Sequence, residues 1–326
     1  MKIAVVGMGA VGGLLAARLA TAGFDVSALA RGDTLAELRE SGLRLLAAGQ
    51  ETRVPIGASA DANELGPQDL VIVALKGPAL AAAAHGLQPL LGPQTVVMPA
   101  MNGVPWWFLQ AGASGAAPQR LASIDPDGRI EASIPLARVL GCVVHFTCSS
   151  PQAGVVQHGF GNRLIVGEPA GGSSARTNAV CAALAKAGFQ AEASTDIRHD
   201  IWFKLWGNMT MNPVSALTGA TTDHILDDPL VHGFILRAME EAAAIGARIG
   251  CPITQSGEER MAVTRQLGGF KTSMLQDTQA GRALELDALV SAVHEIGTRF
   301  EVPMPNIGAL LGLTRLMARE RGLYPR

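Results

Sequence analysis

The chain has 326 residues, long enough for two domains, and a formal net charge of −2. That balance supplies no basic field for nucleic acid or an anionic membrane surface, and no uninterrupted apolar stretch reaches transmembrane length. The four cysteines (Cys142, Cys148, Cys181 and Cys251) lack metal-ligand spacing and read as small hydrophobes of a reducing compartment, so no metal is expected.

The chain opens on an apolar run, Ile3 to Val6, followed directly by Gly7-Met8-Gly9-Ala10-Val11-Gly12. The run is too short for a secretory leader, and a cytoplasmic location is the expectation. Leu14, Leu15 and Leu19 then recur at helical spacing. Strand, G-x-G-x-x-G and helix together predict the first unit of a dinucleotide-binding fold. Gly7 permits the tight turn, Gly9 lets the backbone approach a pyrophosphate, and Gly12 lets helix and strand pack closely. The helix N-terminus offers free N–H groups and a partial positive charge to the phosphates.

Gly23 ends this helix, and Phe24 to Ala30 reads as the second strand. An NAD-preferring site places an acid near that strand's end, to bond the ribose hydroxyls. Here Arg31 stands there, and a guanidinium suits a 2′-phosphate, so the expected cofactor is NADP(H). Asp33 is placed to cap a helix beginning near Thr34. Later strands are expected at Val71 to Leu75, Thr95 to Met98, Leu140 to Phe146 and Arg163 to Gly167. Strands alternating with helices predict an α/β domain with ligands at the carboxyl ends, which here carry Gly7, Arg31, Lys76 and Asn102.

After about residue 195 the apolar spacing is helical. Helices are predicted over 198–212, 229–249, 256–267, 272–279, 284–299 and 305–320. The division is therefore a Rossmann-type domain over 1–194 and an all-helical domain over 195–326, with the cleft between them as the default active site.

Within the first of these helices Lys204, Asn208 and Asn212 are four apart and share one face of an otherwise apolar segment. Asn is a poor helix former, so its repetition favours a functional stripe over a solvated one. Pro213 disfavours helical geometry at Asn212, and the helix is expected to end or kink there. By themselves, Ser273 reads as an N-cap, Glu285 as a solvated helix charge, and His145 as a hydrogen-bonded structural residue ahead of a catalytic base.

Together these residues resemble the 2-dehydropantoate (ketopantoate) 2-reductase family from end to end. The resemblance rests on Gly7 to Gly12, Arg31, Leu75-Lys76, Asn102-Gly103, Lys204-Leu205…Asn208…Asn212-Pro213, Ser273-Met274-Leu275-Gln276-Asp277 and Glu285. It implies that Arg31 and Lys76 hold the adenosine 2′-phosphate. It puts Asn102 beside the nicotinamide ribose and the substrate, and makes Lys204 the general acid. Asn208, Asn212 and Ser273 bind the carboxylate and hydroxyls of a small 2-oxo acid. Glu285 contacts cofactor ribose or orients Lys204. The chemistry is consistent: a Lys ammonium is protonated at pH 7 and stabilises a developing alkoxide before donating its proton.

Two departures stand out. Trp106-Trp107-Phe108 follows Asn102-Gly103, and the stretch from Gln110 to Glu131 looks inserted. With Trp202 and Trp206 these tryptophans are expected to alter the walls of the substrate pocket. The alternatives are an NADP-dependent reductase of another 2-oxo or 3-hydroxy acid and, from a different class, a non-catalytic NADP(H)-binding sensor. A homodimer is expected from apolar surface on the helical domain.

Overall fold

The computed structural model describes residues 1–112, 118–266 and 268–325. It divides into two units, one of Met1–Met101 with Asp127–Asp200, the other of Asn102–Pro126 with Ile201–Arg326. The segment after Asn102 thus belongs with the helices that follow residue 200.

The first unit is α/β. Its elements are β1 (Lys2–Val6), α1 (Ala10–Thr21), β2 (Asp25–Leu29), α2 (Gly32–Ser41), β3 (Leu43–Ala47), β4 (Gln50–Val54) and β5 (Gly57–Ser59). There follow α3 (Ala62–Leu65), β6 (Gln68–Val73), α4 (Gly77–Ala83), β7 (Leu91–Pro99) and α5 (Arg129–Ser133). The unit closes with β8 (Gly141–His145), β9 (Cys148–Ser149), β10 (Val155–His158), β11 (Arg163–Gly167), α6 (Ala175–Lys186) and β12 (Gln190–Ser194).

The main sheet is parallel, in the order β5-β2-β1-β6-β7. Its middle strands are covered on both faces, so Val71, Ile72 and Val73 of β6 are fully buried and no polar alternation is needed. Two smaller sheets, β4-β3-β10-β9 and β12-β11-β8, complete the unit. Strand β4 is polar at every position but Val54, and polar residues alternate with alanines in β12, which is why these strands escape a search for apolar runs.

The second unit is helical. Its elements are α7 (Ile197–Thr218, whose first turn lies in the first unit), α8 (Thr222–Asp227), α9 (Pro229–Arg248), α10 (Gly257–Gln266), α11 (Ser273–Gln279), α12 (Ala292–Arg299) and α13 (Pro305–Glu320). No strand occurs beyond Ser194 among the described residues. Helix α9 packs on α8, α10, α12 and α13. Its buried residues Ile235, Ala238, Met239, Ala242, Ile245 and Gly246 recur every three or four positions.

Four expectations are corrected. Helix α7 does not end at Pro213 but continues to Thr218 with the proline inside. Burial of Met209, Met211, Val214 and Ala216 around it outweighs the one lost N–H donor. Helix α2 begins at Gly32, so Arg31 takes the N-cap position and Asp33 lies in the first turn, where its charge still favours the N-terminus. Thr272, not Ser273, caps α11, its hydroxyl accepting from Leu275 N–H. The segment expected as helix from 284 holds irregular chain to Glu285 and then a π-helical turn over Asp287–Ser291 that runs into α12.

Candidate active site

In the first unit the glycine motif forms the turn from β1 into α1. Gly7 has φ +93°, and a Cβ there would lie 2.8 Å from Ala74 O. A Cβ on Gly12 would fall 2.0 Å from Gly7 O, so no side chain fits between turn and helix. Gly9 is the opposite case, because its Cβ would meet nothing within 4 Å. Gly9 is also the N-cap of α1 and supplies no side chain to the helix end. The first-turn N–H groups beyond Met8, from Ala10 and Val11 onward, are therefore left to an external acceptor. An open backbone at Gly9 in front of an uncapped twelve-residue helix fits a pyrophosphate.

Arg31 and Lys76 occupy the N-cap positions of α2 and α4, just beyond the carboxyl ends of β2 and β6. These strands flank β1 in the sheet, so both cations share the edge that carries the glycine turn. Arg31 is exposed and Lys76 half-buried.

In the second unit Lys204 donates from Nζ to Asn102 Oδ1 at 2.8 Å, joining groups 102 residues apart. The Asn102 loop is held by its neighbours. Gly103 has φ +82°, and a Cβ there would lie 2.4 Å from Ala288 O. Val104 N–H donates to that same carbonyl at 2.8 Å. Ala288 belongs to the π turn, where Ala292 N–H reaches five residues back to Asp287 O. Such turns are frequent at functional sites, and this one seats the loop that carries Asn102.

Glu285 is half-buried in the residues just before that turn. The chain end holds it on both sides. Leu284 N–H donates to Leu323 O at 3.0 Å, and the Tyr324 hydroxyl donates to Asp287 Oδ1 at 2.5 Å. Burial, then the adjacent Asp287 carboxylate, pushes the Tyr324 hydroxyl up to about 12. Asn212, buried, donates from Nδ2 to Ser273 Oγ at 3.5 Å, and Asn208 is half-buried on the same face of α7. Lys204 is thus joined to Asn102, and Asn212 to Ser273.

The tryptophans are elsewhere. Residues two positions from Lys204 lie about 200° around the helix, on its far side. Accordingly Trp202 and Trp206 are core residues, 1% and 2% exposed, whose indoles donate to Ala242 O and Met239 O of α9 at 3.2 and 2.8 Å. Gly246 makes room, since a Cβ there would lie 2.4 Å from Trp202 Nε1. Trp106, Trp107 and Phe108 are fully buried, and Phe108 stacks on Trp202 with centroids 5.9 Å apart. The expectation that these rings wall the substrate pocket is therefore withdrawn, because each is spent on the hydrophobic interior. Of the stretch that looked inserted, residues 113–117 lie outside the described residues, while Ala122 and Ser123 N–H groups donate to Glu295 at 2.8 Å each. His145 ends β8 opposite Arg163, which pairs with Glu192 at 2.6 Å.

Among the described residues no cluster of metal-binding side chains occurs, and no helix is long and apolar enough to cross a membrane. The cysteines are free, and burial pushes Cys148 up to about 12.

Two family models match the chain, Ketopantoate reductase PanE/ApbA over residues 3–171 and Ketopantoate reductase PanE/ApbA C terminal over residues 196–318. A 2-dehydropantoate 2-reductase from Mesorhizobium japonicum is 43% identical over 325 residues, covering 99% of this chain and 100% of that one. A crystal structure from Ralstonia solanacearum MolK2, provisionally named a ketopantoate reductase, superposes with a TM-score of 0.96 at 59% identity, covering 99% of each chain. The crystal structure of 2-dehydropantoate 2-reductase from Methylococcus capsulatus gives 0.84 at 25% identity, over 98% of each chain. With glycine turn, helical unit and both family models in place along its length, the chain belongs to the ketopantoate reductase PanE/ApbA family.

Proposed function

We propose that the chain reduces 2-dehydropantoate to (R)-pantoate with NADPH. The observation that carries this is the Lys204–Asn102 hydrogen bond, which puts an ammonium beside an amide on a helix face that also carries Asn208 and Asn212. NADPH, when bound, supplies the hydride. Gly7, Met8, Gly9, Ala10, Val11 and Gly12 hold its pyrophosphate, Arg31 and Lys76 its 2′-phosphate, and Asn102 and Glu285 its ribose side.

Reduction of a ketone also needs a proton at oxygen. The Lys204 ammonium stabilises negative charge developing on the substrate oxygen and then donates its proton there. Asn102 fixes the direction of that ammonium, and the Glu285 carboxylate favours its charged form. Asn208, Asn212 and Ser273 bind the carboxylate and hydroxyls through neutral groups that do not compete as acids. In this reading residues 1–194, apart from the segment Asn102–Pro126 that groups with the second unit, form the cofactor domain and 195–326 the substrate domain, and the enzyme works in the cytoplasm as a homodimer.

The test is NADPH oxidation by purified protein with ketopantoate beside a panel of other 2-oxo acids. Fast, selective turnover of ketopantoate supports the assignment. Preference for another acid keeps the mechanism and changes the substrate. NADPH binding without turnover of any acid overturns the reading.

A further inference from the structure

Against α7 lies a half-buried cation that the reaction described above leaves unused. Arg260, in the first turn of α10, lays its guanidinium over the Phe203 ring, 5.9 Å from the centroid. It also fills the space that a side chain at position 207 would take. A Cβ on Gly207 would lie 3.2 Å from both Arg260 Nε and Nη2. Gly207 is three residues from Lys204, so the two positions are neighbours on the surface of α7.

No acid answers this charge. Among the described residues Arg260 forms no ion pair, and its Nε is buried without an acceptor. The adjacent carboxylates are engaged elsewhere. Glu259 accepts from Ser256 N and Oγ at 2.8 and 2.9 Å, and Glu258 lies 3.4 Å from His232. Desolvation accordingly lowers the Arg260 pKa. A guanidinium does not lose its proton in practice, so a half-buried one with no acid beside it is a ready partner for an anion. The residue keeps some accessible surface, so the head is not sealed off.

We propose that Arg260 receives the carboxylate of the 2-oxo acid, and so sets the preference for acids over neutral ketones. This rests on the reaction assigned above, and adds Arg260 to Asn208, Asn212 and Ser273 as a further, charged group on the carboxylate. It gives the two cations different tasks, Lys204 acting on the ketone oxygen and Arg260 on the carboxylate. An arginine suits the second task, because its planar fork offers two parallel N–H donors to a carboxylate. Gly207 is the seat that allows the fork to lie against the helix.

The experiment compares ketopantoate with its neutral lactone, which keeps the ketone and loses the carboxylate. For Arg260→Met the KM for ketopantoate should rise roughly tenfold to a hundredfold, as expected for a hydrogen bond between charged groups. kcat/KM for the lactone and the Kd for NADPH should stay unchanged. Arg260→Lys should recover part of the loss, and Gly207→Ala, which pushes on the guanidinium, should reproduce part of it. Equal losses for acid and lactone would make Arg260 a packing residue, and weakened NADPH binding would assign its anion to the cofactor. Either result, or an unchanged KM for the acid, overturns the proposal. If the wild type does not turn over ketopantoate, the reaction assignment fails separately. Arg260 is then judged by whether 2-oxo acids raise the Tm of the wild type but not of Arg260→Met.

Discussion

Helix α7 carries two faces that solve opposite problems with the same backbone. One presents Lys204, Asn208 and Asn212, and of these Lys204 and Asn212 are bonded to side chains from distant parts of the chain. The other presents Trp202 and Trp206, whose rings are buried and whose indole N–H groups are satisfied by carbonyls of α9. The aromatic face fixes where the helix sits, and the polar face uses that position. An ammonium can act on a substrate oxygen only if its helix does not move, so the buried face serves the chemistry without touching it.

This division can be broken from either side. Trp202→Ala empties the larger share of packing and should cost about 3–5 kcal/mol, read as a fall in the denaturant midpoint. Activity per folded molecule should fall far less than stability. Lys204→Ala should do the reverse, lowering kcat by about 10²-fold or more, with an unchanged Tm. If Lys204→Ala keeps a near-normal kcat, the polar face is not the catalytic one.

Two smaller effects sharpen the contrast between the units. Arg31→Ala should raise the KM for NADPH roughly tenfold and leave that for NADH little changed, because the guanidinium is assigned to the 2′-phosphate. Equal effects on both cofactors would remove that assignment. Glu295 is the smallest lever. Burial raises its pKa, but bonds from Ser123 and Ala122 and the charge of Arg299 outweigh this and leave it lowered. A lowered carboxylate pKa gives stability that is present above the unfolded value, about 4.3, and lost as pH falls through the folded one. Melting temperatures should therefore drop on acidification below about pH 4, and Glu295→Gln, costing about 1 kcal/mol at neutral pH, should flatten that drop.

The two sites differed in how legible they were. The dinucleotide turn is contiguous in sequence, and its glycines are dictated by local geometry. Gly7 needs a positive φ and Gly12 has no room for a Cβ, so residue type alone announces the structure. The polar stripe was visible as a period of four and read as functional, but its partners Asn102 and Ser273 were not given by that period. The same period places Trp202 and Trp206 on the far side of α7, a step that the tryptophan-walled pocket ignored. The π turn carried no pattern of its own, because Leu284, Leu286, Leu289 and Val290 suit an ordinary helix equally well.

By itself the sequence determined the Rossmann-type unit, the all-helical second unit and the shared face of Lys204, Asn208 and Asn212, because each follows from spacing along a regular backbone. Only the tertiary structure decided that α7 runs on past Pro213, that Asn102 meets Lys204, and that Arg260 lies unpaired on Gly207. Those outcomes depend on which segments are buried against one another. Burial can override a local preference, and it brings together groups that no sequence period relates.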